Sequence, residues 1–149
     1  MLDDFHQFSS LQVFAITLSL LSLKALFLGM ATAAQRGRLK TFINTEDASW
    51  LGGVYAADPE AVSRIGRCHR NDLENLILFA ISGVVFVALG GGLIASLIYC
   101  LSFLTARGIH TIAYLCAWPL LRRNAYTGGF LAICALSIHC IVLSMQSLG

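Results

Sequence analysis

Four apolar stretches, spread along 149 residues, constrain this chain more than any other feature. Leu11 to Ala34 runs for 24 residues with Lys24 as its one charge, and a bilayer's hydrocarbon core needs ~20 residues of helix. Leu76 to Leu89 is apolar for only 14 residues. A spanning helix there must start earlier, among Arg67, Arg70, Asn71, Asp72 and Glu74, and it carries those polar groups to the membrane boundary. Gly90-Gly91-Gly92 breaks the chain. Leu93 to Ala117 is then apolar except for Arg107, His110 and a few hydroxyls, ending near Trp118-Pro119. Ala125 to Leu148 carries no formal charge beyond any proton on His139 and makes the fourth span.

Composition agrees with a lipid environment. Hydrophobic residues make up 57% and charged residues 12%, with a mean hydropathy of +0.75; soluble domains carry roughly 25% charged residues. A single small soluble domain cannot hide four such segments from water. The expected fold is an all-α integral membrane four-helix bundle forming one domain over 1–149, with helices over about 8–35, 61–89, 92–118 and 123–148. A net charge of +2 without a basic, aromatic-interleaved run argues against nucleic acid. The five cysteines, at 68, 100, 116, 134 and 140, lack CxxC or Cys/His ligand spacing. Neither a disulfide nor a metal site is expected. Met1-Leu2-Asp3-Asp4 lacks the positive flank of a signal peptide, so the first span is expected to be retained.

Charge asymmetry sets the expected orientation. Arg36, Arg38, Lys40, Arg64, Arg67 and Arg70 flank the first loop, roughly Gln35 to Pro59, and Arg122 and Arg123 lie in the third. The glycine loop has no basic residue, so the positive-inside bias puts loops one and three in the cytoplasm and both termini opposite.

Helical spacing concentrates chemistry at that same end. Arg64, Arg67, Arg70, Asn71 and Glu74 fall within about 120° on a helix turning ~100° per residue, while Cys68, His69 and Asp72 point elsewhere. Guanidinium forks suit carboxylates and Glu74 suits an ammonium, which matches a small zwitterion with several carboxylates. The bland alternative is a solvated helix end with an Arg70–Glu74 pair worth ~0.3–0.5 kcal/mol. Arg107, His110 and Tyr114 stand at i, i+3 and i+7, within roughly 60°, facing a partner helix or a cavity. Arg123, near a helix N-terminus, is placed to hold an anion such as a thiolate, or else is a topology signal. Lys24, mid-span, needs a partner because an unpaired ammonium there costs several kcal/mol, and Asp72 is the candidate.

The strings Arg67-Cys-His-Arg70-Asn71-Asp72-Leu-Glu74-Asn75 and Arg107-Gly-Ile-His110-Thr-Ile-Ala-Tyr114-Leu, with Phe42-Ile-Asn44-Thr-Glu46-Asp47 before them, resemble one family. It is that of the membrane-associated proteins in eicosanoid and glutathione metabolism, MAPEG. The microsomal glutathione transferase and microsomal prostaglandin E synthase branch is the most similar. The resemblance, over roughly Lys24 to Tyr126, implies a homotrimer with glutathione as co-substrate, bound between subunits near the cytoplasmic side. Arg36, Arg70, Asn71, Glu74, His110, Tyr114 and Arg123 match family glutathione contacts, with Arg67 in the same polar network. Arg123 matches the arginine thought to stabilise the thiolate, and Asp47 an aspartate discussed as catalytic in the prostaglandin synthase.

The activity so implied is glutathione transfer to a lipophilic electrophile, with glutathione peroxidase chemistry beside it. Three departures, Asn124 in place of a serine, Ala125-Tyr126-Thr127 fitting the aromatic contact only with a shift of register, and Thr45 in place of a proline, turn the reading away from the prostaglandin isomerase, which stays as the alternative. A non-catalytic lipid-presenting scaffold is the other; its mark would be loss of the glutathione set. A transporter relaying charge through Lys24 and Asp72 would need pseudo-symmetric halves, which the sequence lacks. The implied location is the endoplasmic reticulum membrane in a eukaryote or the inner membrane in a bacterium.

Overall fold

The computed structural model describes the backbone of residues 2–147 and the side chains from residue 9 onward. Met1 and Leu148, two of the chain ends named above, lie outside the described residues. Helix α1 covers Leu2–Leu39, strand β1 Thr41–Phe42, helix α2 Thr45–Leu51, strand β2 Val54–Tyr55, helix α3 Glu60–Ala88, helix α4 Leu93–Leu115 and helix α5 Pro119–Gln146. Four of the helices, α1, α3, α4 and α5, are long and apolar enough to cross a membrane.

The boundaries correct two expectations. Helix α1 is 38 residues long, about 57 Å at ~1.5 Å per residue, so it overshoots a ~30 Å hydrocarbon core. It runs on to Leu39 because Arg36 and Arg38 in its last turn favour the negative end of the helix dipole. Helix α5 starts at Pro119 rather than 123, so Arg122 and Arg123 sit inside its opening turns and not in a loop. The reason is local: α4 stops at Leu115, Ala117 turns the chain at φ 58°, and Pro119 supplies the preset φ of a first helical residue. The first loop, in turn, is folded. Lys40 leaves α1 at φ 51°, β1 and β2 pair in parallel, and α2 closes on Gly52 in the left-handed region. A Cβ on Gly53 would lie 2.5 Å from the Lys40 carbonyl oxygen and the Phe42 ring, so only glycine allows the strands to approach.

Around the bundle the order is α1, α3, α5, α4, with the consecutive helices α3 and α4 on a diagonal. The short link between them is set by Gly91, whose backbone lies against the Phe86 ring and whose carbonyl accepts from Ser10 Oγ at 2.9 Å. Below it, an aromatic column fills the core. Phe79 and Phe103 stack at 4.1 Å, Phe14 tilts against Phe79 at 5.6 Å, and Phe86 meets His139 edge-on at 5.1 Å. Outside, Leu23, Leu26, Phe27 and Met30 of α1 and Ile77, Ile81 and Val84 of α3 are exposed. Apolar surface on that scale has no place in water and fits lipid or neighbouring helices.

Candidate functional site

Antiparallel packing brings the C-terminal ends of α1 and α4 to the N-terminal ends of α3 and α5. The polar residues singled out from the sequence therefore gather at the loop-one end of the bundle. Part of the set is turned inward. Asp72 of α3 accepts from Lys24 Nζ at 2.5 Å, from Arg107 Nε at 3.0 Å and also from Arg107 Nη2. Thr111 Oγ1 lies 2.9 Å from Lys24 Nζ and 3.1 Å from Asp72. The expected Lys24–Asp72 pair is present, but it is part of a triad with two cations on one carboxylate. Desolvating three charges costs several kcal/mol each unless they satisfy one another, so this cluster is first of all a tie between α1, α3 and α4. Arg107 was expected on a stripe with His110 and Tyr114, facing a cavity or partner. It does face a partner helix: it lies at the bundle centre, 1% exposed, and reaches across from α4 to Asp72 of α3.

His110, one turn further, is buried at 2% exposure with Nδ1 lacking a hydrogen-bond partner. Its ring meets Tyr114 edge-on at 5.5 Å and tilts against Tyr126 of α5 at 6.2 Å. The Arg122 guanidinium lies 4.8 Å over Tyr114, so this cation, not Arg123, caps the aromatic group from α5. Arg123 is exposed. Among the described residues it forms no ion pair.

The exposed side of α3 carries the rest. Arg64 and Arg67 both reach Glu60 Oε1, at 3.1 and 2.7 Å. Neither pair was anticipated, although Glu60 stands one turn before Arg64, the spacing at which such pairs form. Arg70 and Glu74 make no ion pair with each other or with another described residue. A polar groove of about 520 Å³ runs between the ends of α1 and α3, lined by Arg36, Asp58, Arg67, His69 and Arg70. One turn on, Glu74 stands at the mouth of a mostly apolar groove of about 610 Å³ between α3 and α5, with Tyr126 and Phe130 opposite. The two grooves flank α3, one on its α1 side and the other on its α5 side. One offers guanidiniums for carboxylates; the other offers a carboxylate beside apolar wall.

Arg36 is not free for a ligand within this chain. It grips Asp58 through two parallel hydrogen bonds of 2.8 and 2.6 Å. The guanidinium hydrogen bonds hold the Asp58 carboxyl below its ordinary value. Asp58 was missed from sequence; its position just before Pro59 and the α3 start marks a loop exit but names no partner. Asp47 lies in α2, where its carboxylate accepts from Asn44 Nδ2 at 2.8 Å. Asp47 and Arg123 line neither groove.

Residues 14–142 match the model of the MAPEG family. This chain belongs to the MAPEG family. It is 40% identical to the prostaglandin E synthase of Mus musculus over 119 residues, which cover 78% of this chain and 77% of that protein. With microsomal glutathione S-transferase 1 of Rattus norvegicus it shares 37% identity over 114 residues, 73% of this chain and 74% of that protein. As a MAPEG member with four long apolar helices it is an integral membrane protein. Lys24, both exposed grooves and the Asp72 triad all fall inside the matched segment.

Proposed function

We propose that this MAPEG protein is a membrane-bound glutathione transferase that binds glutathione at the loop-one end of the bundle and presents it as a thiolate to lipophilic electrophiles, with peroxidase chemistry at the same site. The observation that carries this is the placing of Arg70 and Glu74, both without an ion pair among the described residues, side by side on one exposed face of α3, between a polar groove and an apolar one. Glutathione is a tripeptide with two carboxylates, one ammonium and a thiol. Arg67 and Arg70 suit the carboxylates and Glu74 the ammonium, and Asn71, His110 and Tyr114, which line neither groove, are assigned as further polar contacts. Arg123, near the positive end of α5, is assigned to the thiolate. The apolar groove would concentrate a membrane-borne acceptor beside the nucleophile.

Arg36, spoken for by Asp58 in its own chain, and Asp47 would act on the site of a neighbouring subunit in a homotrimer. Loops one and three are assigned to the cytoplasm. The resemblance to a prostaglandin E synthase supports a second reading, glutathione-dependent isomerisation of a lipid endoperoxide. Incubation with such an endoperoxide separates the two readings.

The test of the first is isothermal titration of glutathione into the detergent-purified protein. Wild type should bind, and Glu74→Gln should weaken binding by about 1–3 kcal/mol, the range for charge-assisted hydrogen bonds. No binding to wild type, or equal affinity in the variant, would remove the basis for the assignment.

A further inference from the structure

Asn71 and Asp72 are consecutive on α3, yet one side chain is half-buried beside the exposed face and the other lies in the core. A single buried residue holds both. Arg107 Nε and Nη2 donate to Asp72 Oδ1, and the same Nη2 donates to Asn71 Oδ1 at 2.8 Å. A guanidinium has donors and no acceptor, so the asparagine must turn its carbonyl oxygen toward Arg107. Its amide nitrogen, with two donors, is thereby left on the other side. Among the described residues that nitrogen has no hydrogen-bond partner.

We infer that Arg107 is a positioning residue that fixes the polarity of the Asn71 amide, so that the exposed face of α3 presents a donor and never an acceptor to an anionic group of the bound peptide. The inference rests on the glutathione reading above and deepens it. A free asparagine amide can flip and offer oxygen to a carboxylate, which repels it; an amide whose oxygen is occupied cannot. Arg107 is itself held from three sides. Asp72 anchors its head, and Lys24, which donates to the Arg107 carbonyl at 3.2 Å, braces the same turn of α4. From α5, Gly129 packs beside its stem, where an added Cβ would stand at an ordinary contact distance of 3.4 Å from Arg107 Cδ. The buried triad thus carries a consequence to the surface that its role as a tie between helices does not require.

The experiment is a binding cycle on the full-length protein in detergent, read by titration with glutathione, together with thermal unfolding. Arg107→Lys keeps a cation for Asp72 but loses the fork that reaches Asn71; Asn71→Ala removes the amide. Each single change should weaken glutathione binding by roughly tenfold, the loss of one charge-assisted hydrogen bond. The double variant should bind no more weakly than Asn71→Ala alone, because Arg107 acts through an amide already gone. Asn71→Asp covers the case in which Arg107→Lys fails to fold. It keeps an oxygen for Arg107 and preserves unfolding temperature, but replaces the donor with a carboxylate and should weaken binding more than Asn71→Ala. Losses that multiply in the double variant, unchanged affinity in Arg107→Lys, or Asn71→Asp binding as well as wild type would overturn the inference while leaving glutathione binding intact. Wild type failing to bind at all would instead remove the glutathione reading, and the inference with it.

Discussion

Lys24 of α1 and Asp72 of α3 meet at 2.5 Å across 48 residues of sequence, and Asp72 at the same time neutralises Arg107. The two ends of the pair are therefore not equivalent. Lys24→Met leaves a balanced Asp72–Arg107 pair, whereas Asp72→Asn leaves two cations facing each other in the core. Removing one partner of a buried pair costs ~3–5 kcal/mol, so Asp72→Asn should destabilise on that scale and Lys24→Met by roughly 1 kcal/mol. The double variant removes one of the two stranded cations and should recover part of the Asp72→Asn loss. Thermal unfolding of all four proteins in one detergent tests this; strict additivity of the shifts would count against it.

The three glycines between α3 and α4 predict a graded series. A Cβ on Gly91 would sit 2.2 Å from Phe86 Cε1, and Phe86 is fully buried against Tyr99 and His139, so its ring cannot yield. Gly91→Ala should cost about 1–3 kcal/mol as an overpacked site. Gly90 has open space but φ 78°, and alanine there carries roughly 1–2 kcal/mol of left-handed strain. Gly92, at φ −72° with nothing near it, is the N-cap of α4, and alanine, a poorer cap than glycine, should cost roughly 0.5–1 kcal/mol there. Melting temperatures should fall least for Gly92→Ala. A Gly92 variant as unstable as the Gly91 variant would contradict the packing account.

What the sequence made legible is what a single helix determines. Hydropathy located the spans, and the cost of a lone mid-membrane ammonium led from Lys24 to Asp72. Spacing on α3 separated Asp72 from Arg67, Arg70 and Glu74. What it left hidden depends on two helices at once. Arg107, His110 and Tyr114 share one stripe of α4, but the stripe starts under Asp72 and ends under Arg122, and no spacing rule on α4 says where the neighbours lie. The same holds for Arg36 and Asp58, joined by a loop whose path is set by Gly53 and two short strands. The start of α5 could have been read from Pro119, a proline at a first helical position; the Arg122-Arg123 pair drew the boundary too far along.

Asp58 supplies a pH test of that loop. Its carboxyl is held below its ordinary value by the Arg36 guanidinium, and both side chains are less than a third exposed. A depressed carboxylate stabilises the folded loop above its unfolded-state value, and that contribution is lost as pH falls through the lowered folded value. Protection against hydrogen exchange over residues 40–58 should decline progressively as pH falls from the ordinary carboxylate value to the lowered one, and change no further from this site below it. Asp58→Asn should exchange faster already at neutral pH, with no further acid step from this site. An acid step of the same size in the variant would assign it to another carboxylate, Glu60 of α3 being the nearest in sequence.

Arg123 carries the prediction that bears most directly on catalysis. It is exposed, free of ion pairs among the described residues, and one position past Arg122, whose guanidinium is engaged over Tyr114. Among the described residues, only Arg123 of these two adjacent cations is uncommitted. A guanidinium beside sulfur favours the charged form, so Arg123→Leu should raise the pKa of bound thiol toward that of a free thiol, about 8.5 for a cysteine. At neutral pH the ultraviolet thiolate band of bound glutathione should shrink and turnover of a model electrophile such as chlorodinitrobenzene should fall; both should recover in part in alkali. Glutathione affinity should drop less than turnover, because Arg67, Arg70 and Glu74 remain. Arg122→Leu is the control: it removes a neighbouring charge of the same sign but disturbs Tyr114, and its effect should appear in affinity rather than in the pH at which thiolate forms. Equal thiolate fractions in wild type and Arg123→Leu at every pH, with normal turnover, would make Arg123 a topology residue and return the source of activation to His110, Tyr114, Arg36 or Asp47.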